Sequence, residues 1–161
     1  MQGGNDGLWD WNIKTNQAYF SPRWKAMLDY QESEIGNTLD DWFDRLHPED
    51  VERIKLEILN QSELSPEFEC EYRVLCKGKT YRWMLSFGAI VRDALGKAYR
   101  LVGLQTDITE RKYTEEKLLN DALHDSLTGL PNRVLFMERL SQALSLAKRR
   151  RNYSFAVLFL D

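Results

Sequence analysis

The sequence predicts an α+β fold: a five-stranded antiparallel sheet with short helices on one face, and three features of its order predict it. Two short strand-like segments come first, several short helical segments follow, and three longer alternating segments complete the first two thirds. Helices packed on one side of an antiparallel sheet satisfy that order, because every amphipathic element must bury a face against another layer. Beyond Ile108 the pattern changes to a charged helix, a turn, a second helix and a short apolar run.

Gly7 to Ile13 and Gln17 to Phe20 read as two short strands joined by turn residues around Asn16. Ser21 suits an N-cap and Pro22 the first position of a helix reaching Tyr30. Trp24, Met27 and Leu28 share one face of it. A second helical piece covers Asp40 to Leu46 and offers Trp42, Phe43 and Leu46. His47-Pro48-Glu49-Asp50 starts a third helix, with Pro48 at its first position and acidic side chains at its positive end. Val51, Ile54 and Ile58 lie along one face, and this helix is expected to fade near Asn60.

In Glu67 to Cys76, Phe68, Cys70, Tyr72, Val74 and Cys76 alternate with Glu67, Glu69, Glu71, Arg73 and Leu75, as in an antiparallel strand with one solvated face. Lys77-Gly78-Lys79 turns the chain into Tyr81 to Asp93, where Tyr81, Trp83, Leu85, Phe87, Ala89 and Val91 share a face. Ala98 to Ile108 carries apolar residues on both faces, as a central strand would.

Composition sets the outer limits. A chain of 161 residues accommodates one ordinary domain and part of another. No stretch approaches the roughly 18 to 20 apolar residues that span a bilayer. Met1-Gln2-Gly3-Gly4 lacks the basic and apolar regions of a signal peptide and reads as an open linker. A cytoplasmic location is therefore expected, with any membrane anchor of the parent outside this sequence. Cys70 and Cys76 fall on one strand, roughly 20 Å apart at about 3.3 Å per residue, too far to bridge. The net charge of −3 gives no nucleic-acid footprint. Up to Asp107 acidic residues outnumber basic ones 18 to 13, and beyond it basic residues lead 9 to 7, which supports a boundary near Ile108.

The phrases Gly7-Leu8-Trp9-Asp10-Trp11-Asn12, Tyr19-Phe20-Ser21-Pro22-Arg23-Trp24 and His47-Pro48-Glu49-Asp50 resemble the PAS fold in its common bacterial variety. Glu71-Tyr72-Arg73, Tyr81-Arg82-Trp83 and Gly103 before Asp107-Ile108-Thr109 continue the resemblance to about Lys112. It implies a sensor or interaction module whose pocket lies between sheet and short helices. The lining it implies here is Trp11, Phe20, Trp24, Met27, Trp42, Phe68, Tyr72, Trp83 and Leu85; the same rings also read as plain core filling. A photoactive flavin domain of this fold needs a reactive cysteine on a short helix, whereas Cys70 and Cys76 lie on a strand. Haem needs an axial histidine along the long helix, and His47 stands at that helix's start. No cofactor is firmly expected in the PAS domain, and an organic acid, an amino acid or no small-molecule ligand at all stays open.

Thr109 to about Asp121 reads as a helix with Thr109 as N-cap. A heptad from Ile108 places Ile108, Arg111, Glu115, Leu118, Ala122 and Asp125 along its seam, only half of them apolar, so a coiled coil there is marginal. The Asp-Ile-Thr-Glu-Arg-Lys phrase resembles the signalling exit of PAS domains, which implies relay through Asp107, Ile108, Thr109 and Leu118.

Asp125-Ser126-Leu127-Thr128-Gly129-Leu130-Pro131-Asn132-Arg133, then Phe136 and Leu140, then Ala156-Val157-Leu158-Phe159-Leu160-Asp161 resemble the start of a GGDEF domain, the diguanylate cyclase fold. Pro131 opens a helix with an apolar stripe of Phe136, Leu140, Leu144 and Ala147, and Phe155 to Leu160 reads as a strand buried on both faces. The resemblance implies that Asp161 would bind catalytic Mg2+ in the complete parent domain, which also takes GTP. One carboxylate cannot hold the two metal ions that neutralise a triphosphate, so no catalytic residue is assigned and this chain alone is not expected to be an enzyme. Lys148-Arg149-Arg150-Arg151 lacks interleaved aromatics and complements the negative end of its helix, so no nucleic acid is expected. His124 reads as a joint residue, with no neighbouring nucleophile.

The domains expected are a tail at 1–6, a PAS sensory domain at 7–108, a linker helix at 109–122 and the truncated start of an α/β GGDEF domain at 123–161. The function implied is a sensory and homodimerising module of a bacterial cyclic-di-GMP signalling protein, dimerising through PAS and linker helix. Two alternatives stand beside it: a parent with a following EAL domain that degrades cyclic-di-GMP, and a ligand-free adaptor for protein interaction.

Overall fold

A computed structural model describes residues 6–64, 67–150 and 152–158, the side chains of 59–64 and 68 excepted. The chain divides into two units, Met1–Lys112 and Tyr113–Asp161. In the first, strands β1 (Gly7–Asn12), β2 (Gln17–Phe20), β3 (Glu67–Leu75), β4 (Tyr81–Arg92) and β5 (Ala98–Asp107) form one antiparallel sheet in the order β2-β1-β5-β4-β3. The strand with apolar residues on both faces is thus the central one. Helices α1 (Pro22–Met27), α2 (Leu39–Phe43) and α3 (Pro48–Leu64), with a 3-10 turn at Glu32–Glu34, connect β2 to β3.

Local chemistry explains the helix starts. Ser21 accepts from the Trp24 amide at 3.2 Å and from the Leu8 amide at 3.0 Å, so one hydroxyl caps α1 and ties it to β1. Thr38 and Asp41 form a reciprocal capping box on α2. At the start of α3, the Asp50 carboxylate accepts from the Arg73 amide at 3.0 Å and its Nε at 2.9 Å, which fixes the helix to β3. The 3-10 turn has its own capping box through Gln31 and Glu34, a signal in the sequence that periodicity does not register. α1 stops at Met27, earlier than Tyr30, because the chain reverses at Asp29 with φ +64°. α3 runs on to Leu64 instead of fading near Asn60.

Sheet register decides which residues reach the core. Tyr72 pairs with Met84 and Val74 with Arg82, so even-numbered residues of β3 and β4 share a face. The inner face of β4 is therefore Met84, Ser86, Gly88 and Ile90. The expected set of Tyr81, Trp83, Leu85, Phe87, Ala89 and Val91 lies on the outer face. Trp24, Leu28, Ile54, Tyr72, Val74, Met84 and Leu101 form the centre of the core, each fully buried. Each such side chain contributes about 1.5–3 kcal/mol of apolar burial.

α4 (Thr109–Leu123) leaves the first unit, and α5 (Arg133–Arg149) lies in the second. Thr109 is the first helical residue of α4 rather than its cap, and Asp107 Oδ1 accepts its amide at 2.9 Å. Pro131 does not open α5. Asn132 caps it, accepting from Val134 and Leu135 amides at 2.9 and 3.2 Å, while Pro131 pairs with His124 in a lone bridge. In the turn between, Asp125 Oδ1 accepts from the Thr128 amide and hydroxyl at 2.9 and 2.8 Å. Gly129, at φ +69°, occupies the left-handed region that glycine tolerates.

The apolar run expected as a strand has no strand structure over its described part, 155–158, and these residues are exposed. A buried strand needs a hydrogen-bonding neighbour on at least one edge, and none pairs with it among the described residues. Leu160 and Asp161 lie outside the described residues. The stripe on α5 has Phe136 and Leu144 exposed, and no residue of that helix is buried.

Candidate ligand cavity and exit helix

A cavity of about 30 Å³ sits between the inner face of the sheet and the helices. Its walls are rings: Trp9 and Trp11 from β1, Phe20 from β2, Trp24 from α1, Trp42 from α2 and Tyr72 from β3. Phe20 stacks on Trp24 with centroids 4.1 Å apart, and Trp42 meets Tyr72 edge-on at 5.2 Å. These aromatic contacts supply rigidity as well as area. Trp9 lies against Gly88 and Gly103, where a Cβ on Gly103 would approach its Cζ2 to 2.6 Å.

One end of the cavity is polar. The Ser86 and Tyr72 hydroxyl oxygens lie 2.5 Å apart, and Tyr72 donates to Gln105 Oε1 at 2.7 Å. With the Tyr72 proton so committed, Ser86 is the donor in the first contact. Burial pushes the Tyr72 phenol well above its ordinary value, so it remains protonated. Gln105 is fully buried, and its Nε2 has no hydrogen-bond partner among the described residues.

Of the lining expected from sequence, Trp11, Phe20, Trp24, Trp42 and Tyr72 meet at the cavity. Met27 is buried in the surrounding core but is not in the wall. Trp83 and Leu85 stand on the opposite face of the sheet, a consequence of the β4 register. The side chain of Phe68 lies outside the described residues. Sequence reasoning missed Trp9, Ser86 and Gln105; the signal for the last two was present, since each is a polar residue inside an apolar strand.

Among the described residues the lining contains no cysteine and no histidine. Cys70 and Cys76 are buried free thiols, and burial drives both upward in pKa, away from the reactive thiolate. His47 packs edge-on against Tyr81 at 4.7 Å and accepts from the Glu49 amide at 3.3 Å.

The exit from the sheet is bonded on several sides. Ile108 is buried and donates its amide to Trp83 O at 2.9 Å, while Thr109 Oγ1 accepts from the Trp83 amide at 3.0 Å. Glu71 pairs with Arg111 and with Lys112, each at 2.5 Å. The Lys112 hydrogen bond, aided by Arg111, holds the Glu71 carboxyl below its ordinary value. Arg73 and Lys112 each sit 5.3 Å from the Trp83 ring centroid, so the misassigned tryptophan serves this junction instead. Leu118, further along α4, is exposed, and no residue of α4 is buried.

The fold agrees with what comparison finds. The family model for the PAS fold matches residues 17–105. The chain belongs to the PAS fold family. The model described as diguanylate cyclase, GGDEF domain, matches residues 122–161, so a PAS domain is followed by the N-terminal part of a GGDEF domain. The chain is 30% identical to a crystal structure of the N-terminal domain of a diguanylate cyclase with PAS/PAC sensor from Marinobacter aquaeolei. That likeness has a TM-score of 0.60 and covers 66% of this chain and 98% of the other. Sensor protein FixL of Bradyrhizobium diazoefficiens is 28% identical over 124 residues, 77% of this chain and 24% of FixL. The bifunctional diguanylate cyclase/cyclic di-GMP phosphodiesterase MucR of Pseudomonas aeruginosa is 53% identical over 45 residues, 28% of this chain and 6% of MucR. The chain thus spans about a quarter or less of the curated relatives it matches.

Proposed function

We propose that this chain is the sensory and homodimerising PAS module of a cyclic-di-GMP signalling protein, with a PAS domain at 7–108 and a linker helix at 109–122. The GGDEF domain that begins at 123 is the effector, and the complete domain takes GTP and Mg2+. Among the described residues no group of acidic, histidine or cysteine side chains gathers as a metal site, and Asp161 lies outside them. The chain by itself is assigned no catalysis, and a cytoplasmic location suits a module of this kind.

Continuity carries the reading. β5 brings Gln105 to the cavity and two residues later reaches Asp107, where the Trp83, Ile108 and Thr109 bonds hand the chain to α4. α4 in turn leads into the GGDEF match at 122. A change of packing at the cavity therefore has a short covalent route to the effector. Exposed Leu8, Tyr19, Phe87 and Leu104 on the outer sheet face, and Leu118 and Leu119 on α4, offer apolar surface for a second copy. In the longer protein, Leu118→Asp is expected to leave the PAS fold intact and uncouple sensing from activity. An unchanged response in that variant counts against the linker route.

The MucR match favours a second reading, in which the parent degrades cyclic-di-GMP and the GGDEF portion binds GTP without making product. Assay of the longer protein for synthesis from GTP against hydrolysis of cyclic-di-GMP separates the two.

A further inference from the structure

Resting on the reading of the cavity as a sensor pocket, we propose that it takes a small uncharged molecule bearing a hydrogen-bond acceptor, held by the side-chain amide of Gln105. Gln105 lines the cavity, is wholly buried, and has Oε1 engaged by Tyr72 while Nε2 meets no acceptor among the described residues. With Tyr72 donating to Oε1, the two N–H donors of the amide are left over. An open donor pair in an interior otherwise filled with rings is the exception that buried polar groups rarely make. Beside a void, it marks where an acceptor belongs.

Charge and size narrow the class. Among the described residues the lining has no lysine, arginine or histidine, and its one carboxylate, Asp10, is bonded to Arg100 Nε at 2.8 Å. An anion would lose its hydration and find no countercharge; a cation would find no free carboxylate. At about 30 Å³ the space is that of a few heavy atoms at most. Short aldehydes, ketones, alcohols and amides meet all three conditions, and organic acids and amino acids do not.

Three probes of equal heavy-atom count test this: formamide, formate and propene, titrated separately into the 15N-labelled chain. Formamide is expected to shift the Gln105 side-chain amide signals and saturate in the millimolar range. Formate and propene should require about tenfold more, for want of a countercharge and of an acceptor respectively. Gln105→Leu should erase the preference of formamide over propene; if that variant does not fold, the order among the probes on the unaltered chain decides. Formate binding as tightly as formamide overturns the ligand class and leaves the sensor pocket standing. No binding of any probe, with only water bridging Gln105 Nε2, overturns the proposal. Formamide binding as expected while the longer protein's activity stays unmoved supports the ligand class and removes the sensor reading alone.

Discussion

Gly103 is where the central strand yields its volume to a ring. A Cβ there would meet Phe87 O at 2.2 Å, Trp9 Cζ2 at 2.6 Å and Gly88 Cα at 2.7 Å, two of them backbone atoms that cannot swing aside. Gly103→Ala is therefore expected to cost about 1–3 kcal/mol in urea unfolding. Gly78→Ala is the matched control, with nothing within 4 Å of its added methyl, and should stay within about 0.5 kcal/mol. Equal stability of the two variants would show that Trp9 has room to move. Lys25 is the opposite case, a charge only 3% exposed. Its ammonium donates to Glu32 O at 2.8 Å, Ile35 O at 3.1 Å and Asn37 Oδ1 at 3.4 Å, closing the 3-10 segment over α1. Lys25→Met keeps the stem and orphans those acceptors, for an expected loss of about 1–3 kcal/mol by the same measurement.

At the scale of elements, β3 and β4 show what the sequence makes legible and what it does not. β3 alternates charged and apolar residues, so its faces read directly. β4 has apolar side chains on both faces, and its larger rings suggest the wrong one. The turn holds the parity: Leu75 pairs with Tyr81, so residues symmetric about Gly78 share a face and Tyr72 drags Met84 inward. A slip of one residue flips every side chain, which is why Trp83 and Leu85 were misplaced together. Most of the aromatic cavity wall from β1, β2, α1 and α2 was legible because those elements are short and one-sided, although Trp9 beside Trp11 on β1 was not singled out. Its polar end was not, because Ser86 and Gln105 become meaningful only when three strands align.

The same element supplies a pH dependence. Burial raises Asp50, but the Arg73 hydrogen bonds and charge outweigh it and leave the carboxyl below its ordinary value; Glu71 is lowered by Lys112 and Arg111. Carboxylates depressed in the folded state contribute stability that is complete above the unfolded values, about 3.9 for Asp and 4.3 for Glu. That stability is lost as pH falls through the folded values. Urea midpoints should therefore change little on account of these groups between about pH 7 and 5, and drop below about pH 4. Glu71→Gln should lower stability by at most about 1 kcal/mol, since its pairs are partly solvated. Its clearer readout is faster amide exchange in the first turn of α4. Unchanged exchange there would show that Thr109 and Ile108 hold the exit without it.

Over the whole chain, stability is expected to be uneven. The first unit contains a continuous core of rings and aliphatic side chains, whereas neither α4 nor α5 buries any residue. Helices of this length without tertiary burial are marginal in water, even with the Asn132 cap and the Asp125 turn in place. Amide hydrogen exchange should separate the units: amides of β4 and β5 opening only with global unfolding, and those of α5 exchanging close to the intrinsic rate. Repeating the measurement across a range of protein concentration distinguishes the remaining possibility. Protection of α5 that rises with concentration would identify a second copy as the partner covering Phe136 and Leu144. Strong protection independent of concentration would mean that the helix finds its burial within one chain, and the uneven scheme would fall.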